Sequence, residues 1–433
     1  MRRLFTPTFI ALHLALLHLA VIWFRTPSDA SLVARPAAAS ATLGGTSSAN
    51  STPSNPAPAP LPRTTLRPGP FDPDKMQDDG RHMTADLGNG FTGDLTLDAR
   101  LQHEATRILE RGKVPVGAIV VMDIHTGDVL ALADRYKADH PAAPKLSEDG
   151  PKNLALRAFA PAASVFKVVT AAALLEAGVS GSANFAYVAG HRRVGEEHVA
   201  EPPPGSPTAT IGEGLSKSLN GLFARLSSEK LDHDALENIC NRFLFNQVVP
   251  FAALTEASVA QVPRNALERA RMSAGFFHSK LTPLHAAVVA AAIANGGIMP
   301  APRIVTSLTG PDGVLESAPE PTTLGKAIEP ATARELAKML RNTTEDGTAH
   351  RSFSKVPKSL EGVDVAGKTG TLTDDTTRTD YTWFVGFAPA DNPKVAFAVL
   401  VGNGELWYVR ATDVARDVLA AYFEGQHPEV ATR

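Results

Sequence analysis

The chain has 433 residues, 44% hydrophobic and 20% charged, which excludes a disordered protein and leaves room for one large core or two domains. A net charge of -3 excludes the broad basic surface that grips phosphates, so no nucleic-acid partner is expected. The single cysteine, Cys240, excludes an intrachain disulfide and belongs to no His/Cys metal pattern; it reads as a small buried apolar residue.

Arg2 and Arg3 precede a stretch from Leu4 to Phe24 that is apolar except for Thr6, Thr8, His13 and His18, long enough to cross a hydrocarbon core of roughly 30 Å. The flanking arginines and the interfacial Trp23 predict an anchor over 1–25 with its N-terminus in the cytoplasm. A cleaved signal peptide ending near Ser28-Asp-Ala30 is the rival; the apolar run is longer than a signal core, which favours the anchor. Residues 26–90 turn to Ala, Pro, Ser and Thr and predict a flexible tether. Order is expected from Phe91, with a domain over 91–425 and a tail over 426–433.

Within that domain a helical pattern runs to Leu109, and Val116 to Ile124 and Val129 to Ala133 predict a hairpin about His125-Thr-Gly-Asp128. Pro151 and Pro161 precede an apolar run ending at Gly178, which predicts a buried helix with Ser164 in its first turn. Helices follow from Ile211 to about Phe245, from Pro283 to Ala294 and from Ala331 to Asn342. Val365 to Leu372, Thr382 to Pro389 and Val395 to Val401 read as antiparallel strands, and Thr412 to Phe423 as a closing helix. Two early strands, three late ones and helices between predict an α+β fold, an α/β sandwich. Its mainly antiparallel five-stranded sheet is covered by helices, an all-helical subdomain is inserted in the middle, and a transmembrane helix precedes it.

At three positions apart, Ser164 and Lys167 share one face of their helix. A serine hydroxyl becomes a nucleophile when a base takes its proton, and a lysine is such a base when burial and nearby positive charge lower its pKa. Ser-x-x-Lys recurs at Ser227 and Ser352, so alone it carries little. Downstream, however, stand Ser218-Leu-Asn220 in the helical middle and Lys368-Thr369-Gly370-Thr371 on the first late strand. The three motifs in that order, each in its expected element, resemble the signature of penicillin-binding proteins and serine β-lactamases. Leu95 to Gln102, Ala118 to Leu132, Leu281-Thr-Pro-Leu284 through Ala294-Asn-Gly-Gly297, Gly347-Thr-Ala349 and Trp383 to Pro389 resemble the transpeptidase domain of penicillin-binding proteins, extending the likeness over residues 91–425.

The resemblance implies that Ser164 attacks the carbonyl between the two terminal D-alanines of a peptidoglycan stem peptide, with Lys167 as base. It further implies that Lys368, a fixed cation in the cleft, keeps Lys167 neutral and attracts the substrate carboxylate. Ser218 would relay a proton to the leaving amine, and Asn220 would position substrate and Lys167. Thr369 and Thr371 would offer hydroxyls to the carboxylate, Gly370 would keep side chains away from the ligand, and the backbone N–H groups of Ser164 and Thr371 would form the oxyanion hole. A β-lactam, which resembles the D-alanyl-D-alanine end, should acylate Ser164 without release.

The expected activity is thus a D,D-transpeptidase that cross-links stem peptides, without metal or organic cofactor. It would sit single-pass in a bacterial cytoplasmic membrane, with its catalytic domain on the periplasmic or extracellular side and a separate glycan polymerase as partner. A carboxypeptidase, using water as acceptor, stays open at this point. A serine β-lactamase needs a base for the deacylating water, and Glu237-Asn-Ile-Cys-Asn241 is an imperfect, early match to one. A β-lactam sensor would carry several membrane segments, and a non-catalytic envelope scaffold would not be acylated at Ser164.

Overall fold

The computed structural model describes residues 67–80, 82–190, 193–317, 320–374 and 377–426. The expected anchor, most of the tether and residues 427–433 lie outside the described residues. Among the described residues no helix is long and apolar enough to cross a membrane.

The centre is a five-stranded antiparallel sheet built from β1 (Val116–Asp123), β2 (Val129–Tyr136), β3 (Ala366–Asp374), β4 (Thr379–Ala388) and β5 (Val395–Asn403), in spatial order β3-β4-β5-β1-β2. Joining β5 to β1, with Val399 opposite Ile119, closes the early hairpin against the late strands. The mixed architecture and its antiparallel sheet are thus as the strand pattern predicts.

Helices introduced in chain order are α1 (Ala99–Arg111), α2 (Lys167–Glu176), α3 (Ile211–Ser216), α4 (Asn220–Lys230), α5 (His233–Arg242), α6 (Ala266–Ser273), α7 (Pro283–Ala294), α8 (Pro330–Glu345), α9 (His350–Phe353) and α10 (Ala411–Gln426). Because side chains alternate across a strand, β1 feeds two cores. Ile119 and Val121 pack with Leu101 of α1 and Val418 of α10; Ala118, Val120 and Met122 pack on the opposite face with Val288 of α7 and Val169 of α2. α7 is apolar all round and buried through Ile293, as befits a helix with no solvent face. Its start is set by Pro283 at the first helical position and by Thr282, whose Oγ1 accepts from His285 N at 3.1 Å.

Two expectations need correction. Order begins before Phe91: Met76–Asp78, Met83–Asp86 and Thr92–Leu95 form a second antiparallel sheet with Val305–Thr309 and Leu315–Ser317. These strands are short, and their pairing joins Leu95 to Val305, far apart in sequence, so local pattern carries little of the signal. Ser164, moreover, lies in a 3₁₀ turn, Ala163–Phe166, that leads into α2, and Ala163 has φ 50°. In a 3₁₀ turn residues three apart eclipse each other, so Lys167 stands directly over Ser164.

Candidate active site

Lys167 is fully buried, and its Nζ lies 2.8 Å from Ser164 Oγ, 2.8 Å from Asn220 Oδ1 and 2.5 Å from the Ala274 carbonyl. Three chain segments therefore meet at one nitrogen: 164–167, the start of α4 and the end of α6. Burial, and secondarily the charge of Lys368, holds its pKa well below the ordinary lysine value. A neutral amine has two N–H donors and one lone pair. With the donors on Asn220 Oδ1 and Ala274 O, both pure acceptors, the lone pair is left for the Ser164 hydroxyl.

Asn220 opens α4, and Ser218 occupies the tight turn before it at φ 56°. Ser218 is half-buried and Thr371 exposed.

On β3, residues alternate between faces. Lys368 pairs with Val385 and Gly370 with Trp383, placing both on the face that carries the Ser164 turn; Thr369 and Thr371 take the other face. Lys368 is fully buried with its Nζ 3.0 Å from the Thr369 carbonyl, and burial pulls it down to about 7. Its charge therefore changes near neutrality. At Gly370 a Cβ would come 3.2 Å from Val165 Cγ2 and 3.3 Å from Ala163 Cβ, so its bareness lets β3 close onto the Ser164 turn.

Several contributors were not singled out from sequence. Gly275, at φ 92°, packs so tightly that a Cβ would lie 2.8 Å from Ser164 N, and it follows the Ala274 carbonyl that orients Lys167. Trp383 Nε1 donates to the Pro161 carbonyl at 2.9 Å, tying β4 to the segment before Ser164. Thr348 bridges the second and third motifs: its N–H donates to Ser216 O at 2.9 Å and its Oγ1 lies 2.6 Å from Thr369 Oγ1. Gly347-Thr-Ala349 and Trp383 lay within stretches that carried the family resemblance; Ala274 contributes only a backbone oxygen, which no side-chain motif reveals.

A family profile described as penicillin binding protein transpeptidase domain matches residues 117–420. The chain belongs to the penicillin-binding protein transpeptidase family. Among penicillin-binding proteins, the peptidoglycan D,D-transpeptidase PbpA of Mycobacterium tuberculosis H37Rv is 30% identical over 405 residues, 82% of this chain and 79% of the relative. PbpA of Mycolicibacterium smegmatis is 31% identical over 352 residues, 73% and 70% of the two chains. The structure resembles penicillin-binding protein A from M. tuberculosis in its imipenem acyl-enzyme complex, with a TM-score of 0.64 and 28% identity over 76% of this chain and 79% of that one. It is similarly related to the D,D-transpeptidase domain of an Eggerthella lenta peptidoglycan glycosyltransferase, with a TM-score of 0.63 and 28% identity over 77% and 83%. The matched residues take in the penicillin-binding protein motifs at Ser164, Ser218 and Lys368.

Proposed function

We propose that this chain is a peptidoglycan D,D-transpeptidase working through a Ser164 acyl-enzyme that β-lactams also form. One observation carries it: a buried, pKa-depressed Lys167 Nζ sits 2.8 Å from Ser164 Oγ, with its two donor bonds already assigned. Ser164 Oγ attacks the carbonyl carbon of the penultimate D-alanine as its proton passes to Lys167 Nζ. The backbone N–H groups of Ser164 and Thr371 hold the oxyanion, a role supported by the packing of Gly370 against both neighbours of Ser164. When the C–N bond breaks, the Lys167 proton reaches the leaving amine through the Ser218 hydroxyl, and D-alanine departs. The amine of a second stem peptide then attacks the ester and gives a proton to Lys167, which passes it to Ser164 Oγ as the C–O bond breaks, leaving the new cross-link, free Ser164 hydroxyl and neutral Lys167.

Lys368 in its charged form draws in the substrate's terminal carboxylate, Thr369 and Thr371 offer it hydroxyls across the free edge of β3, and Asn220 bonds substrate backbone and orients Lys167. The proposal includes an anchor at 1–25, supported by the apolar stretch and its arginines. It also includes a catalytic domain outside the bacterial cytoplasmic membrane and a separate glycan polymerase that supplies strands.

The test is intact-protein mass spectrometry of the full chain in detergent with penicillin, wild type against Ser164→Ala, followed for hours. A stoichiometric adduct that persists and needs Ser164 is expected. A folded wild type that takes no adduct, or turns penicillin over, would overturn the assignment.

A further inference from the structure

The loop that joins β5 to α10 presents three consecutive large side chains to solvent: Leu406, Trp407 and Tyr408 are 69%, 40% and 52% exposed. The reaction above uses none of them. Single exposed apolar residues are ordinary, whereas a contiguous run that includes two aromatic rings marks a binding surface.

Trp407 is held in one orientation. Its Nε1 donates to Asp380 Oδ2 at 2.8 Å, and the other oxygen of Asp380 accepts from Thr373 Oγ1 at 2.6 Å. Thr373 and Asp380 stand opposite each other on β3 and β4. The Arg410 guanidinium lies over the indole, 5.6 Å from the ring centre. With its only polar atom bonded to Asp380 and one face under Arg410, the exposed part of Trp407 is a flat, fixed, apolar ring surface.

The same bonds place this ring relative to the reaction. Thr373 is two residues beyond Thr371, about 6.6 Å along β3 and on the same face. β3 is an edge strand, and the bare Gly370 seats it on the Ser164 turn. Along the bonded path through Thr373 and Asp380, Trp407 Nε1 lies no more than about 17 Å from the Thr371 Cα. A peptide of about five residues spans a similar length, so the sugar that carries a bound stem peptide comes within range of the ring.

We propose that Trp407 is a stacking platform for a pyranose ring of the glycan strand. A pyranose has a face of C–H groups, which packs on an indole, and a rim of hydroxyls, which need acceptors. An ionised carboxylate accepts about four hydrogen bonds, so Asp380, after its bonds to Trp407 and Thr373, can still accept from hydroxyls at the edge of the ring. Tyr408, next along the loop, offers a second ring. A lipid surface fits less well, because the carboxylates of Asp380 and Glu405 flank the indole. The inference rests on the transpeptidase reading and adds the glycan to the part of the substrate that the chain grips.

The test uses the full chain in a detergent without a sugar head group and, as probe, a β-1,4-linked N-acetylglucosamine tetramer titrated by calorimetry. Wild type is expected to bind it. Trp407→Ala should bind ~10- to 100-fold more weakly, as loss of a stacking ring does, and Trp407→Phe, which keeps a ring, should lose about threefold or less. Two donors with the same stem peptide, with and without its disaccharide, are then compared in cross-linking. Wild type should use the disaccharide-bearing donor with ~10-fold higher kcat/KM, and Trp407→Ala should bring that ratio to about one. A wild type that forms the penicillin adduct but does not bind the tetramer would overturn the platform alone, as would a Trp407→Ala that binds it equally well. So would a Trp407→Ala loss shared equally by both donors, the mark of a disturbed fold. A wild type without any penicillin adduct would overturn the transpeptidase reading instead.

Discussion

Gly275→Ala probes how Ser164 is held, because the residue touches neither substrate nor proton yet presses on the nucleophile's backbone. At φ 92° an alanine pays about 1–2 kcal/mol for left-handed backbone alone. Its Cβ would also fall 2.5 Å from the Ala163 carbonyl carbon and 2.8 Å from Ser164 N, where contacts under 3.0 Å essentially never occur, so one side must retreat by about 0.5 Å or more. If the Ala163 side moves, the 2.8 Å Ser164–Lys167 contact opens; if the Gly275 side moves, the Ala274 carbonyl leaves Lys167. A displacement of about 1 Å at reacting groups costs on the order of 10²-fold, or about 2.7 kcal/mol of barrier. The assay is the second-order rate of penicillin adduct formation by quenched-flow mass spectrometry, alongside thermal unfolding. Gly178→Ala is the control, since Gly178 has φ 81° with nothing within 4 Å of its would-be Cβ, so it incurs the backbone penalty without the clash. Gly275→Ala should acylate about 10²-fold more slowly, whereas Gly178→Ala loses stability but keeps its rate. A folded Gly275→Ala acylating at the wild-type rate would refute the role of this contact.

Further expectations concern charge and the bridge between motifs. Acylation needs neutral Lys167, so kcat/KM should rise with pH to a plateau reached well below the range of an ordinary lysine. It should fall again above about 7 as free Lys368 loses the charge that draws in the carboxylate, and Lys368→Met should remove that falling limb while slowing acylation throughout. Lys368 also sets a stability slope. Its folded pKa of about 7 lies below the unfolded value of 10.5, so between these limits the unfolded chain binds the extra proton and stability rises with pH, at most about 1.4 kcal/mol per unit. Urea unfolding of wild type and Lys368→Met from pH 6.5 to 9 checks this; equal slopes would rule it out. Thr348→Val removes the 2.6 Å partner of the Thr369 hydroxyl and should raise KM about three- to tenfold with kcat near wild type, a prediction that fails if only kcat changes.

The elements best read from sequence are those whose own residues settle their state. α7 matches its predicted bounds because Pro283 opens it, its apolar run has no polar face and Asn295-Gly-Gly297 ends it. The central strands were legible from their apolar runs and turns, and β5, buried at every position, is the plainest case. The second sheet was not, since its strands are only three to five residues long and Thr92–Leu95 pairs on one side with Val305–Thr309, about 210 residues on. Of the candidate site, Ser164, Lys167, Asn220 and Lys368 were legible as residue types in order along the chain.

The sequence by itself determined which side chains could do chemistry and in which elements they stand, because a hydroxyl, an amine and an amide are properties of residues, and spacing reports helix faces and strands. The tertiary structure alone decided their state. Lys167 has a depressed pKa and its hydrogen-bond partners fixed because burial strips its solvent and Asn220 and Ala274 come to it from distant segments. Lys368 titrates near neutrality because β3 turns it into the core, and Gly275 matters only because the chain folds it against Ser164. Desolvation and close contact are relations between segments far apart in sequence, so no single stretch of residues encodes them.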